Sequence, residues 1–265
     1  EIKEVQLGDG FTSSVEDKQA IVQFENLDNG YITMVTGEDS EIKLTDGTLF
    51  DKIRIHEAVD GKTIKKKRSK DFEPEYTFKS WYDINPEPKW KGVRNKDKKI
   101  VMSSDPEIGI SLSHMGVWKD IVKNKTPYTL ILEDDFTVDV GFQTNLKNAW
   151  DELPKDFDVF YLSYLQSSDG FKFDFYKNNL LKIHKGIWWL SGYILSYEGA
   201  KKLIDNFPVV GVVDMWINHV IPDMNIYSTK QLLVGQRVNT KSDNVYSWTS
   251  EKFNPEIKNV KSYKN

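Results

Sequence analysis

The stretch Tyr128-Thr129-Leu130-Ile131-Leu132-Glu133-Asp134-Asp135 decides how this chain is read. Its first part is a continuous apolar run of strand length, the pattern of a strand buried on both faces in a parallel sheet. It runs straight into three carboxylates. Adjacent like charges raise one another's pKa and call for something positive nearby. A hard divalent cation is the natural compensator, because it takes carboxylate oxygens. In open α/β sheets, ligands bind beyond the carboxyl ends of the strands, which is where this triplet falls. Alternation along an extended segment puts Glu133 and Asp135 on one side and Asp134 on the other. The same triplet also suits a solvated strand end or a cluster capping a helix.

Upstream, Ser104-Asp105-Pro106-Glu107 carries a helix start: a capping residue, proline in the first turn, and Glu three after Ser. Ile108, Leu112, Met115, Trp118 and Val122 then fall on one helical face. Downstream, a helix is expected from about Phe142 to Leu153 and a second buried strand over Asp158–Leu165. Leu181–His184 and Trp188–Leu195 are strand-like, Gly199 to Ile204 opens a helix, Met215–Val220 is a short helix, and Ile226–Val234 has strand character. Strands alternating with helices imply an α/β fold with a mostly parallel central sheet flanked by helices. Nearer the N-terminus, Ala20–Phe24, Tyr31–Val35 and Ile53–His56 are β-rich and separated by turn signals. Lys62–Lys70 reads as a solvated basic loop, or as an electrostatic lip for an anionic substrate. Trp81–Trp90 reads as an irregular surface segment. No repeat or linker divides the chain, so one domain over 1–265 is expected, with 1–20 as an N-terminal extension and 244–265 as a tail.

Composition narrows the function classes. Lys and Arg number 36 against 40 Asp and Glu, giving a net charge of −4. That balance weighs against a general nucleic-acid binder, which needs a basic face. There is no cysteine, so disulfide scaffolds, thiolate metal sites and a cysteine nucleophile are excluded together. No stretch approaches the roughly 18 apolar residues of a membrane span. The N-terminus is polar and acidic, unlike a leader, so a cytoplasmic location is expected, with a secretory-pathway location as the alternative. Eight Trp are present, which suits a core and also suits sugars, whose apolar faces pack on flat rings.

Other candidates are single residues. His114 sits near the edge of the apolar stripe of its helix, as a core histidine or as a ligand. His219 follows Asp214 at close range and is a candidate metal ligand. His56 and His184 carry no pattern of their own. Asp214 emerges from the apolar run Val209–Val213 beside aromatic residues, as a general base or as the cap of the next helix. Ser191-Gly192 could let a ligand approach the backbone, or let two elements pack. The glycine-rich phosphate loops Gly-x-x-x-x-Gly-Lys and Gly-x-Gly-x-x-Gly are absent.

In order along the chain, these pieces resemble glycosyltransferase family 25, the lipooligosaccharide and collagen galactosyltransferase group. Ile55-His56-Glu57-Ala58-Val59-Asp60-Gly61 resembles its "AVDG" segment. Glu107-Ile108-Gly109-Ile110-Ser111-Leu112-Ser113-His114 with Trp118 resembles its "EIGC-LSH---W" helix, Ile110 standing where cysteine is usual. Leu130 to Asp135 resembles its "LEDD" box. Gly192 to Ser196 with Gly199-Ala200-Lys201-Lys202-Leu203 resembles its "GYI-S--GAKKL" segment. Val213-Asp214 resembles the "VD" pair that follows, and Gln236 with Ser242-Asp243 the closing segment.

The resemblance implies a GT-A fold with a Rossmann-like nucleotide-sugar domain. It implies a UDP-sugar donor (UDP-galactose or UDP-glucose), Mn2+, and a glycan or other hydroxyl-bearing acceptor. Asp135 would be a metal ligand, with Glu133 or Asp134 on metal or ribose and His219 as a further metal candidate. His114, Ser191, Gly192 and Gln236 would line the donor side. If the reaction inverts the anomeric centre, Asp214 is the base. One departure stands out. The family carries an arginine-rich turn after its N-terminal strand, whereas Tyr31–Val35 leads into Thr36-Gly37-Glu38-Asp39-Ser40. That difference favours an altered donor, or an inactive relative that binds sugars or a partner. A metal-dependent phosphoesterase, the reading from another class, would want more histidine ligands than four scattered ones supply.

Overall fold

The computed structural model describes residues 3–6, 12–16, 19–21, 30–36, 41–43, 50–60, 76–77, 105–134, 136–138, 142–166 and 170–236. The loops at Lys62–Lys70 and Trp81–Trp90, and the tail from 244, lie outside them.

At the centre is an eight-stranded sheet. Its strands are β1 (Gly30–Thr36), β2 (Phe50–Glu57), β3 (Tyr128–Glu133), β4 (Val159–Tyr161), β5 (Lys172–Phe175), β6 (Leu180–Lys185), β7 (Gly192–Ser196) and β8 (Ile226–Thr229). Across the sheet they run in the order β5-β6-β8-β4-β7-β3-β1-β2. The pairs β5–β6, β6–β8, β4–β7 and β7–β3 are antiparallel, whereas β8–β4, β3–β1 and β1–β2 are parallel. The expectation of a mostly parallel sheet is therefore corrected: the sheet is mixed, and most of its pairings are antiparallel. The reason is physical. An unbroken apolar strand reports burial on both faces, not direction. β7 is as buried as β3 and runs against both of its neighbours.

Strands Lys3–Gln6, Thr12–Glu16, Gln19–Ile21 and Glu41–Lys43 form a four-stranded sheet of their own. Three two-stranded ladders complete the described strands: Leu165–Gln166 with Ile187–Trp188, Phe136–Val138 with Val234–Gln236, and Tyr76–Thr77 with Val209–Val210.

Four α-helices are described: α1 (Asp105–Asn124), α2 (Phe142–Glu152), α3 (Tyr197–Asp205) and α4 (Val213–Val220). The end of α1 is set by Lys125, which adopts φ 52°. There Thr126 N–H donates to Ile121 O and Lys125 N–H to Val122 O, closing a Schellman cap just before Pro127. Helix α3 starts on Ser196, whose hydroxyl accepts from Gly199 N–H at 3.0 Å.

Period-two alternation sorts the sheet's side chains into two cores. Ile131, Val159, Tyr161, Tyr193 and Leu195 pack with α1, α3 and α4. Leu130, Leu132, Phe160, Leu162 and Ile194 pack on the other face with Phe142, Leu146 and Ala149 of α2. Helix α1 lies deepest, buried well beyond its anticipated stripe, and Trp118 at its centre stacks on Trp216 of α4 at 6.1 Å. Among the described residues, no helix is long and apolar enough to cross a membrane.

Candidate active site

Glu133 closes β3. Alternation sends its side chain to the same face as Ile131, toward α1, and there it meets His114. Glu133 Oε1 lies 3.3 Å from His114 Nε2, and His114 Nδ1 lies 2.9 Å from the Tyr193 hydroxyl. Trp118 Nε1–H donates to that same hydroxyl at 3.0 Å. For a neutral imidazole, the inventory of donors and acceptors gives the direction of this chain. A carboxylate only accepts, so His114 Nε2 carries the proton. Nδ1 of the neutral ring then accepts, and Tyr193 O–H donates to it. Burial pushes the Tyr193 hydroxyl well above its ordinary pKa, so it keeps that proton. The result is a buried relay from Trp118 through Tyr193 and His114 to a carboxylate that is only partly exposed. Glu133 is held at its backbone too, its N–H donating to Ser191 O at 3.1 Å.

Asp214 belongs to the same face. It sits in the first turn of α4, where the helix dipole favours a carboxylate, but it does not cap that helix. The capping position is Val212, which makes no side-chain cap bond. The Asp214 carboxylate instead accepts from Met215 N–H at 2.7 Å and from Trp189 N–H at 3.3 Å. Burial raises its pKa above the ordinary aspartate value. Those two N–H groups pull it back, the Glu133 charge pushes it up further, and His114 lowers it. Two carboxylates that feel one another, one of them raised in pKa, form the pattern of acid–base chemistry.

The segment from Gly186 to Ser191 holds these groups together. Asn218 of α4 accepts from the N–H groups of Gly186 and Ile187 at 2.9 and 3.2 Å, and returns a bond to Ile187 O at 2.7 Å. Trp189 has φ 75°, a left-handed backbone that costs a non-glycine residue about 1–2 kcal/mol. Three residues on, Gly192 proves to be a packing residue. A Cβ there would lie 2.7 Å from Val234 Cγ1, so the glycine admits Val234. The Ser191 hydroxyl is buried with no hydrogen-bond partner among the described residues.

The remaining sequence candidates divide. Asp134 lies in the turn after β3, and Asp135 lies outside the described residues. Gln236 pairs in backbone register with Phe136, beside the acidic triplet, but its side chain is outside the description. His219 lies on α4, and its side chain too is outside the description. His184 on β6 pairs with Asp174 on β5 at 2.8 Å, both side chains exposed, at the opposite end of the strand order from β3. His56 packs against Gly116 on the flank of α1, and burial lowers its pKa. Nearby, Val59 N–H donates to the Ser113 hydroxyl at 2.9 Å, which ties the Ala58–Asp60 segment to α1.

The family model described as "Glycosyltransferase family 25 (LPS biosynthesis protein)" matches residues 50–217. The chain belongs to glycosyltransferase family 25. The matched span contains His114, Glu133, Tyr193 and Asp214. Procollagen galactosyltransferase 2 of Mus musculus is 29% identical over 161 residues, which cover 59% of this chain and 23% of that protein. Its Homo sapiens counterpart is 32% identical over 107 residues, 38% of this chain and 17% of that protein. A procollagen lysyl hydroxylase and glycosyltransferase of Acanthamoeba polyphaga mimivirus is 27% identical over 158 residues, 57% of this chain and 16% of that protein. The chain thus spans less than a quarter of the length of these curated relatives.

For this family 25 chain, the fit to a metal rests on donor chemistry. Among the described residues, no group of three His, Asp or Glu converges to hold an ion. Magnesium-like cations are commonly held by one or two carboxylates together with the phosphates of the substrate. Glu133 and its acidic neighbours suit that mode. Sequence reading missed Tyr193, Asn218 and Trp189 as site residues. Tyr193 and Asn218 have ordinary core and helix positions in the sequence, and only the tandem Trp188-Trp189 beside Ser191-Gly192 offered a signal.

Proposed function

We propose that this chain transfers a hexose, galactose or glucose, from a UDP-sugar to an acceptor hydroxyl, with inversion at the anomeric carbon. The observation that carries the reading is the placement of Asp214 and Glu133 on one face of the sheet. One carboxylate has a raised pKa and is held by two backbone N–H groups, and the other is oriented by a buried relay, both on one face of the sheet. In the reaction, the acceptor oxygen forms a bond to the anomeric carbon as its proton passes to the Asp214 carboxylate. The bond from that carbon to the diphosphate breaks, and its electron pair leaves with UDP. Glu133, with Asp135, would hold Mn2+, which when bound offsets charge on the leaving diphosphate. His114, Tyr193 and Trp118 keep the Glu133 carboxylate in one orientation. The parallel block β2-β1-β3 ending at Glu133 corresponds, on this reading, to the nucleotide-binding half of a GT-A-type fold.

A second reading has its own observation. Thr36-Gly37-Glu38-Asp39-Ser40 lacks the arginines expected beside the nucleotide, which favours an idle relative that binds sugars or a partner. One screen separates the two. UDP release is followed with UDP-galactose and UDP-glucose, with and without Mn2+, for the wild type and for Asp214→Asn and Glu133→Gln. Metal-dependent release that both variants abolish supports the transferase. No release with either donor under any metal condition removes it in favour of the idle relative.

A further inference from the structure

We propose that Trp189 is a stacking platform for a sugar ring on the acceptor side, so that the acceptor of this chain is a pyranoside rather than a flexible hydroxylated side chain. The inference rests on the transferase reading only in naming the bound sugar as the acceptor.

Three observations on Trp189 converge. Its backbone occupies the left-handed region at φ 75°, where glycine is the unstrained choice. The residue is 36% exposed, although a side chain of this size would be more stable covered. Its N–H donates to Asp214. Neither local backbone preference nor core packing explains a tryptophan at this position. The segment is also not free to relax, since Asn218 bonds to Gly186 and Ile187 and Asp214 bonds to Trp189 itself. Helix α4 thus bonds the turn at Gly186, Ile187 and Trp189, and the residue whose backbone N–H meets the candidate base carries a partly exposed indole.

The choice of the acceptor side follows from reach. A base must lie within hydrogen-bond distance of the hydroxyl it deprotonates. The residue whose backbone N–H bonds that base lies next to the hydroxyl it would deprotonate, and the proposal assigns its ring to the hydroxyl's parent molecule. The donor's diphosphate belongs with the acidic residues after β3. A pyranose offers an apolar face of C–H groups that matches an indole in area and flatness, and an extended alkyl chain offers much less.

The test is binding, with transfer measured in parallel. Methyl β-D-galactopyranoside, methyl β-D-glucopyranoside and a hydroxylysine-containing peptide are titrated against the whole chain with UDP present, and followed by saturation-transfer NMR. Trp189→Gly removes ring and strain together, so the variant keeps its fold, which a thermal melt verifies. Trp189→Phe keeps a flat ring. Expected is pyranoside binding by the wild type, weakened about tenfold or more in Trp189→Gly and largely retained in Trp189→Phe. Equal binding by wild type and Trp189→Gly overturns the platform. So does a wild type that binds no pyranoside yet transfers to the peptide, and that outcome leaves the transferase reading standing. Pyranoside binding through Trp189 with no UDP release from any donor does the reverse: it keeps the platform as a sugar site and removes the transferase. A wild type that binds no pyranoside and releases no UDP removes both.

Discussion

The two faces of the central sheet are built from the same strands, yet they do different work. On β7, Ile194 points into the core under α2, whereas its neighbour Tyr193 points toward α1 and joins the relay to Glu133. The α2 face is filled by Leu130, Leu132, Phe160, Leu162 and Ile194. The opposite face surrounds its apolar residues with buried polar groups: His114, Ser111, Ser113, Ser191 and the Tyr161 hydroxyl, which has no partner among the described residues. Burying polar groups costs free energy unless each is satisfied. A face that carries so many is kept for something an apolar face cannot do, here the positioning of two carboxylates. One face is filled with apolar side chains, and the other gives up part of that packing to a buried polar cluster around two carboxylates.

The sharpest way to break that contrast is Asp214→Asn. Transfer to acceptor should fall about 10²–10⁴-fold while the melting temperature at neutral pH is not reduced, as checked by UDP release and calorimetry. Near-normal turnover would remove Asp214 as the base. Next in size, Phe160→Ala on the α2 face should cost about 3–5 kcal/mol in urea unfolding, with the activity of the folded fraction retained. A large loss of specific activity there would show that the two faces are not separable. Smaller again is Tyr193→Phe, which keeps the ring but leaves Trp118 Nε1–H and His114 Nδ1 without their partner. It should cost about 1–3 kcal/mol and also slow transfer, because Glu133 loses its fixed orientation. If stability drops and rate does not, the relay is structural only.

The finest test is the pH dependence of stability. The pKa of Asp214 is raised in the folded state, so its protonated form favours folding. Its contribution is fully present below the ordinary aspartate pKa and is lost as pH rises through the raised value. Asparagine does not titrate. The melting-temperature difference between Asp214→Asn and wild type should therefore grow with pH across that window and level off above it. A difference that is flat with pH would mean that burial does not perturb this carboxylate.

Much of the fold was legible because it is written in local patterns. The run Tyr128–Leu132, the stripe from Ile108 to Trp118 and the short helix before Val220 each announce an element through its own periodicity. Strand direction was not legible, because β3 and β7 have the same apolar character and run oppositely. The site was half legible. Carboxylates at Glu133 and Asp214 stand out as charges leaving apolar segments. The residues that position them do not stand out, since Tyr193, Trp118 and Asn218 read as ordinary core and helix positions.

What the sequence determined by itself is therefore the set of elements, the family, and the carboxylates, because each depends on residues close together in the chain. What only the tertiary structure decided is which groups meet. His114 reaches Glu133 across 19 residues, Trp118 reaches Tyr193 across 75, and Trp189 reaches Asp214 across 25. Those contacts depend on helix placement and strand order, which local propensity does not encode. The conformation at Trp189 is of the same kind: its left-handed backbone lies in a turn that α4 bonds at Gly186, Ile187 and Trp189.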